Sequence, residues 1–176
     1  AIDNAIQEFT RAEIESCFTW AYALGGNYFV GFTFQSYRIP NKTFVYDATT
    51  SALAGVSTWH ERQTGVTDNS WRVNSIVSAY GKLLVGEALG GNIGYIDKTS
   101  YTEYGDVMYQ EKASKPFSGG GLPLFAGEMQ LTMESGVGLA NGQGSDPVVR
   151  MDFSDDGGRT FSSEFSRSYG KIGEYM

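Results

Sequence analysis

A chain of 176 residues is long enough for one domain, or for one domain and an appended piece, with a core that needs no covalent help. Its formal charge is −7 with the basic residues scattered, which excludes the basic stripe of a nucleic-acid surface, and no 18-residue apolar run offers a membrane-spanning helix. The single Cys17 excludes an internal disulfide and suits a reducing compartment, while 23 Gly and 22 Tyr plus Phe suit many short strands and tight turns.

In chain order, residues 2–9 read as a short helix, and Thr10 with Glu13 as a capping box for a second helical turn. Four strands follow near 16–24, 28–35, 42–48 and 56–63, with Leu24-Gly25-Gly26-Asn27 as the first hairpin turn. A second set of four lies near 71–80, 82–89, 92–98 and 105–114, turning at Tyr80-Gly81 and Gly90-Gly91-Asn92. The two sets correspond at a period of about fifty residues, the size of a propeller blade. Val45-Tyr46-Asp47 aligns with Tyr95-Ile96-Asp97, Trp59-His60-Glu61-Arg62 with Tyr109-Gln110-Glu111-Lys112, and Val30-Gly31 with Val85-Gly86. Asp47 and Asp97 are thereby expected at equivalent strand ends. A Gly/Pro-rich connector at 115–127 leads to a third β unit at 128–176, with strands near 128–134, 147–154 and 160–167 and a Gly-rich excursion at 135–146.

The expected fold is therefore all-β: a partial β-propeller of two four-stranded, blade-like units within 1–114, plus the appended antiparallel unit. Two blades do not close a ring. The chain also lacks an initiator Met and a leader and opens in mid-pattern, so it reads as a piece of a longer parent.

Few residues suggest chemistry. Ser154, Asp156, Gly158, Thr160 and Phe161 follow the Ser-x-Asp-x-Gly-x-Thr-Phe pattern and resemble the Asp-box of sialidases and other β-propellers. Such a box is a turn device: Asp156 accepts backbone N–H groups and the glycines supply positive φ. Tyr37-Arg38-Ile39-Pro40 resembles a sialidase motif in which the Arg clamps a substrate carboxylate; as a plain reading it is the loop between two strands. His60, the only histidine, reads as polar strand surface, and Cys17 as a buried structural thiol. Asp152, Asp155 and Asp156 fit turn chemistry better than a Ca²⁺ site. Gly136-Val137-Gly138 and Gly142-Gln143-Gly144 lack the strand–loop–helix context of a phosphate loop. Trp20, Trp59 and Trp71 suit sheet cores better than a sugar platform. No catalytic group, metal or cofactor is expected.

A broader resemblance covers nearly the whole chain. Lys42-Thr43-Phe44-Val45-Tyr46-Asp47, Trp59-His60-Glu61-Arg62, Tyr80-Gly81-Lys82-Leu83-Leu84-Val85-Gly86, Asn92 to Asp97, Glu134 to Leu139 and Gly170 to Tyr175 resemble the C-terminal half of the packaged-DNA stabilisation proteins of short-tailed phages. These are also called tail accessory or head-closure factors. The resemblance implies a non-enzymatic virion protein of the tail or neck, made in the host bacterial cytoplasm. Its partners would be the portal and other tail proteins, with ring self-association in the full-length parent and neither direct nucleic-acid binding nor membrane contact. The alternative is a sialidase-like module that binds or cleaves glycans.

Overall fold

The computed structural model describes residues 2–66, 69–88, 90–100, 102–120, 122, 124–142 and 144–175. Leu89 at an expected strand end, Gly121 and Pro123 of the connector, and Gln143 of the Gly-rich excursion lie outside the described residues. The chain divides into two compact units, Ala1–Tyr109 and Gln110–Met176.

The first unit opens with α1 (Ile2–Gln7) and α2 (Arg11–Glu15). Thr10 caps α2 by accepting the Glu13 N–H while the Glu13 carboxylate accepts the Thr10 N–H, the reciprocal box its spacing predicts. Strands β1 (Phe18–Leu24), β2 (Asn27–Phe34), β3 (Lys42–Asp47) and β4 (Trp59–Arg62) then form one antiparallel sheet in the order β1-β2-β3-β4. Leu24 pairs with Asn27 across Gly25-Gly26, whose φ angles of 62° and 88° require glycine or a close substitute.

Both faces of this sheet are apolar, as in a strand layer covered on both sides. One face carries Phe32, Phe34 and Phe44, and Ile2, Ile6 and Phe9 pack onto it. The half-buried Cys17 lies at the edge of this cluster, and burial pushes its thiol pKa up. The opposite face carries Trp20, Tyr22 and Val45, packed with Trp71, with Ile96, and with Ile76 and Leu83 of the second sheet. That sheet consists of β5 (Val73–Ala79), β6 (Lys82–Glu87) and β7 (Ile93–Tyr95), in the order β5-β6-β7.

A buried polar thread joins the two sheets. The hydroxyls of Thr33 and Thr43 lie 3.0 Å apart, and Thr43 Oγ1 accepts the Trp71 N–H at 3.1 Å. Both threonines are at most 1% exposed. Thr43→Val keeps the shape but removes the partner of a buried hydroxyl and of a part-buried N–H. It is expected to cost about 1–3 kcal/mol in urea denaturation, against almost nothing for an exposed threonine.

Three expectations need correction. First, a helix, α3 (Ala48–Ala54), stands between β3 and β4, where a strand to 48 and a plain connection to 56 were expected. Asp47 caps it, Ala favours it, and Gly55 ends it at φ 66°. Second, the strand expected near 105–114 is cut to two residues and does not join the second sheet. Instead β8 (Thr102–Glu103) and β9 (Asp106–Val107) make a separate two-stranded hairpin. Tyr104 and Gly105, at φ 53° and 93°, turn the chain so that β9 pairs with β8 and not with β7. Tyr109 to Lys112 therefore has no ladder to set beside Trp59 to Arg62, and the second sheet is three-stranded. Third, the internal alignment is out of register. Val45 pairs with Gly31 and Tyr95 pairs with Leu84, so if Val45 corresponds to Tyr95 the counterpart of Gly31 in the second sheet is Leu84 and not Gly86.

The second unit contains one ribbon, β10 (Val148–Met151) paired with β11 (Phe165–Ser168). Residues 128–134 form no strand. The excursion after them closes on itself, with the Leu139 N–H on Gly144 O at 2.9 Å, and Gly136 O accepts the Gly173 N–H at 3.0 Å. The strand expected at 160–167 is shortened to 165–168, because Ser154 to Thr160 are consumed by a wide turn.

Candidate functional site

Within the first unit the residues singled out by sequence do not gather into one site. Arg38 sits in the 35–41 loop of the first unit, and a protein carboxylate already engages it. Its Nη2 donates to the Glu8 carbonyl at 2.7 Å and to Glu13 Oε2 at 3.3 Å. Glu13 also accepts the Ser36 hydroxyl, and Asn41 Oδ1 accepts the Ser36 N–H at 2.8 Å. Arg38 thus ties the loop to the N-terminal helices.

The Ser36 hydroxyl, the Thr10 backbone and hydroxyl, and Arg38 together hold the Glu13 pKa down, from 4.5 to about 2. A depressed carboxyl pKa contributes stability that is complete above the unfolded value and lost as pH falls through the folded one. Acidification from about pH 4.5 to about 2 is therefore expected to loosen the helix–loop junction. Amide exchange at Thr10, Glu13 and Ser36 checks this, and Glu13→Gln should abolish the pH dependence of that exchange.

Asp47 and Asp97 each close a turn with threonine, but their contexts differ. Asp47 ends β3, caps α3 and accepts the Thr50 N–H at 2.9 Å and hydroxyl at 2.6 Å. Asp97 lies two residues past β7 and accepts the Thr99 N–H and hydroxyl, each at 2.8 Å, with no helix following. Both pKa values are lowered, Asp47 chiefly by the Thr50 hydroxyl and Asp97 chiefly by the Thr99 N–H.

In the second unit, Asp156 gathers the turn around itself. It accepts the Arg159 and Thr160 N–H groups at 2.9 Å, the Thr160 hydroxyl at 2.6 Å and the Ser154 hydroxyl at 2.8 Å. Ser154 Oγ accepts the Gly158 N–H at 2.8 Å. The Thr160 hydroxyl leads the bonds that hold the Asp156 pKa far below the ordinary aspartate value. Gly157 and Gly158 have φ of 78° and 88°, and Phe161 is exposed. The carboxylate is fully used in shaping the chain.

His60 differs from expectation. It is half-buried, edge-on to Phe29, and its Nε2 accepts the Arg62 Nε–H at 3.2 Å. Burial, then the Arg62 charge, lowers its pKa. Register explains the placement: His60 pairs with Val45, whose side chain is fully buried.

Two arginines escaped the sequence reading. The Arg62 guanidinium lies 4.9–5.8 Å from the ring centroids of Trp71, Tyr22, Phe29 and Trp20. Arg72 is 11% exposed and meets Glu87 at 3.2 Å, Glu103 at 3.6 Å and Asp106 at 2.9 Å. Glu103 also accepts the Trp71 indole N–H at 2.6 Å. This network fastens the β8–β9 hairpin to the second sheet. The only advance signal was an adjacent Trp-Arg pair opening a strand; its acidic partners lie far along the chain.

Among the described residues no group of His, Cys, Asp or Glu can hold a metal ion. No described helix is long and apolar enough to cross a membrane. The groove beside α1, lined by Ile6, Phe32, Phe34, Phe44 and Trp59, is wholly apolar. The arrangement supplies rigidity and sheet stacking.

Among known proteins, no curated protein and no solved structure matches the chain. The family described as Bacteriophage P22 Gp10, beta-propeller (Phage_stabilise) has a model that matches residues 1–101. That span takes in the two larger sheets of the first unit and more than half of the chain. The chain therefore belongs to this family of phage DNA-stabilisation proteins, structural proteins of β-propeller fold.

Proposed function

We propose that the protein is part of a head-closure or tail accessory factor, which seals packaged DNA below the portal and joins the head to the tail. The match of the phage stabilisation family across residues 1–101 carries this reading. In this role the chain blocks the exit without gripping the duplex, in keeping with its charge of −7. Portal and tail proteins are its partners, copies assemble as a ring in the full-length parent, and its place is the virion neck. The role is structural and not enzymatic. The Asp156 turn serves as an Asp-box, a fold device. The sialidase-like alternative gains no support from Arg38, which is bonded to Glu13 and Glu8.

Deletion of the gene from its phage tests the reading. Heads are expected to package DNA and then lose it, measured as genome that becomes nuclease-sensitive after packaging ends. Heads that retain protected genomes without the protein overturn the reading. Purified protein should turn over no fluorogenic sialoside; turnover abolished by Arg38→Ala would establish the glycan-cleaving alternative instead.

A further inference from the structure

Asn141 is the one asparagine of this chain that glycine follows. Glycine matters in that place because it has no Cβ to keep its backbone nitrogen away from the side-chain amide before it. The pair lies in the Gly-rich excursion of the second unit, outside every helix and strand, and both residues are exposed. Gly142 has a φ of 81°. Among the described residues, neither the Asn141 side-chain amide nor the Gly142 N–H takes part in a hydrogen bond. On either side the excursion is fastened: the Leu139 N–H meets Gly144 O at 2.9 Å, and the Ser145 N–H meets Gly142 O at 3.1 Å. The two groups that could react are left in water within a closed loop.

The other asparagines are held. Asn4, Asn27 and Asn74 lie inside α1, β2 and β5. Asn41 Oδ1 accepts the Ser36 N–H, Asn69 Oδ1 accepts the Ser70 N–H, and Asn92 Nδ2 donates to Glu87. Sequence and structure therefore single out the same residue.

We infer that Asn141 is a self-modification site, where the Gly142 nitrogen closes on the side-chain amide and converts the asparagine to aspartate and isoaspartate. The reactants are the chain and water. Hydroxide removes the Gly142 N–H proton, and the nitrogen forms a bond to Asn141 Cγ. The Cγ–Nδ2 bond breaks, and Nδ2 leaves as ammonia, taking its last proton from water. Water then opens the cyclic imide. Where the new bond from nitrogen to Cγ breaks, aspartate results and the chain is otherwise restored. Where the bond to the main-chain carbonyl carbon breaks, the chain runs on through Cγ as isoaspartate. Nothing is oxidised or reduced. Either product adds a negative charge. Isoaspartate also puts a methylene into the main chain between Leu139 and Gly144, against the hydrogen bond that closes the excursion. The inference does not rest on the head-closure reading.

Warm storage of the full chain at mildly alkaline pH, followed by peptide mapping with mass spectrometry, tests it. An acid in place of an amide should appear at Asn141 before any other asparagine, and an isoaspartyl methyltransferase should label the same peptide. The rate should rise with pH, since the nitrogen must lose its proton. Because the fold leaves the site open, the folded chain should convert within about tenfold of the rate of the guanidinium-unfolded chain. Gly142→Ala should slow conversion by about tenfold or more. Asn141→Gln should remove the methyl label from that peptide, and circular dichroism checks that both variants fold. Earlier conversion at Asn69 or Asn74 overturns the inference, as does a folded rate more than about tenfold below the unfolded one. An unslowed Gly142→Ala chain overturns the route through the Gly142 nitrogen, and a label that survives Asn141→Gln overturns the assignment to Asn141.

Discussion

Arg72→Ala is expected to be among the most damaging single substitutions in the first unit. The arginine and its partner Glu87 are 11% and 6% exposed, and Glu103 is 16% exposed. Removing the cation leaves two inward-facing carboxylates without their counter-charge, a loss of about 3–5 kcal/mol for a pair this dry. The exposed Asp106 adds little, because water screens it. Urea denaturation should show the loss, and amide exchange should show the β8–β9 hairpin detaching before the sheets melt. Arg72→Lys should recover only part, since an ammonium cannot serve three carboxylates with one planar fork. A loss below about 1 kcal/mol would mean that the network is no more than surface decoration.

Trp20→Ala is expected to cost about 3–5 kcal/mol, because it empties the centre of the cluster that joins the two sheets. Gly31 makes the expectation sharper. It is the cross-strand partner of Trp20, and a Cβ placed on it would overlap the indole. The ring thus covers a glycine that offers no side chain of its own, a known way to rescue such a site in a sheet. Gly31→Ala should cost about 1–3 kcal/mol by overpacking. In a Trp20→Ala background the same change should be nearly neutral or stabilising. Additive losses in the double variant would show that the two positions do not share this space.

The first sheet was legible because its signals are local. Alternating aromatics bounded by Gly25-Gly26 set β1 and β2, and the Thr10–Glu13 box set the start of α2. Helix α3 was not legible, because Ala48-Thr49-Thr50-Ser51 follows a strand without an apolar period. The capping role of Asp47 was masked by its likeness to Asp97. The apparent fourth strand at 105–114 rested on an aromatic, polar, Glu, basic pattern, which is composition and carries no register. Arg62 and Arg72 act mostly through rings and carboxylates 31 to 42 positions away, with Trp71 and Glu87 nearer, and nothing in their own surroundings announces them. For Arg38 the loop was readable but its carboxylate was not, since Glu13 lies 25 residues upstream.

The pairing of each strand in the larger sheets with its neighbour in sequence bears on how the protein folds. The β1-β2-β3-β4 meander needs no distant segment to complete a ladder, and its widest crossing spans only α3 and a few flanking residues. Loop closure is then cheap at every step, and the mean sequence separation of contacts stays low for a β protein. Residues 18–62 can acquire their sheet while later residues are still being synthesised. Trp20 and Val45 would then stand as a ready surface on which β5–β7 condenses, so that folding during synthesis runs from the amino end towards the carboxyl end.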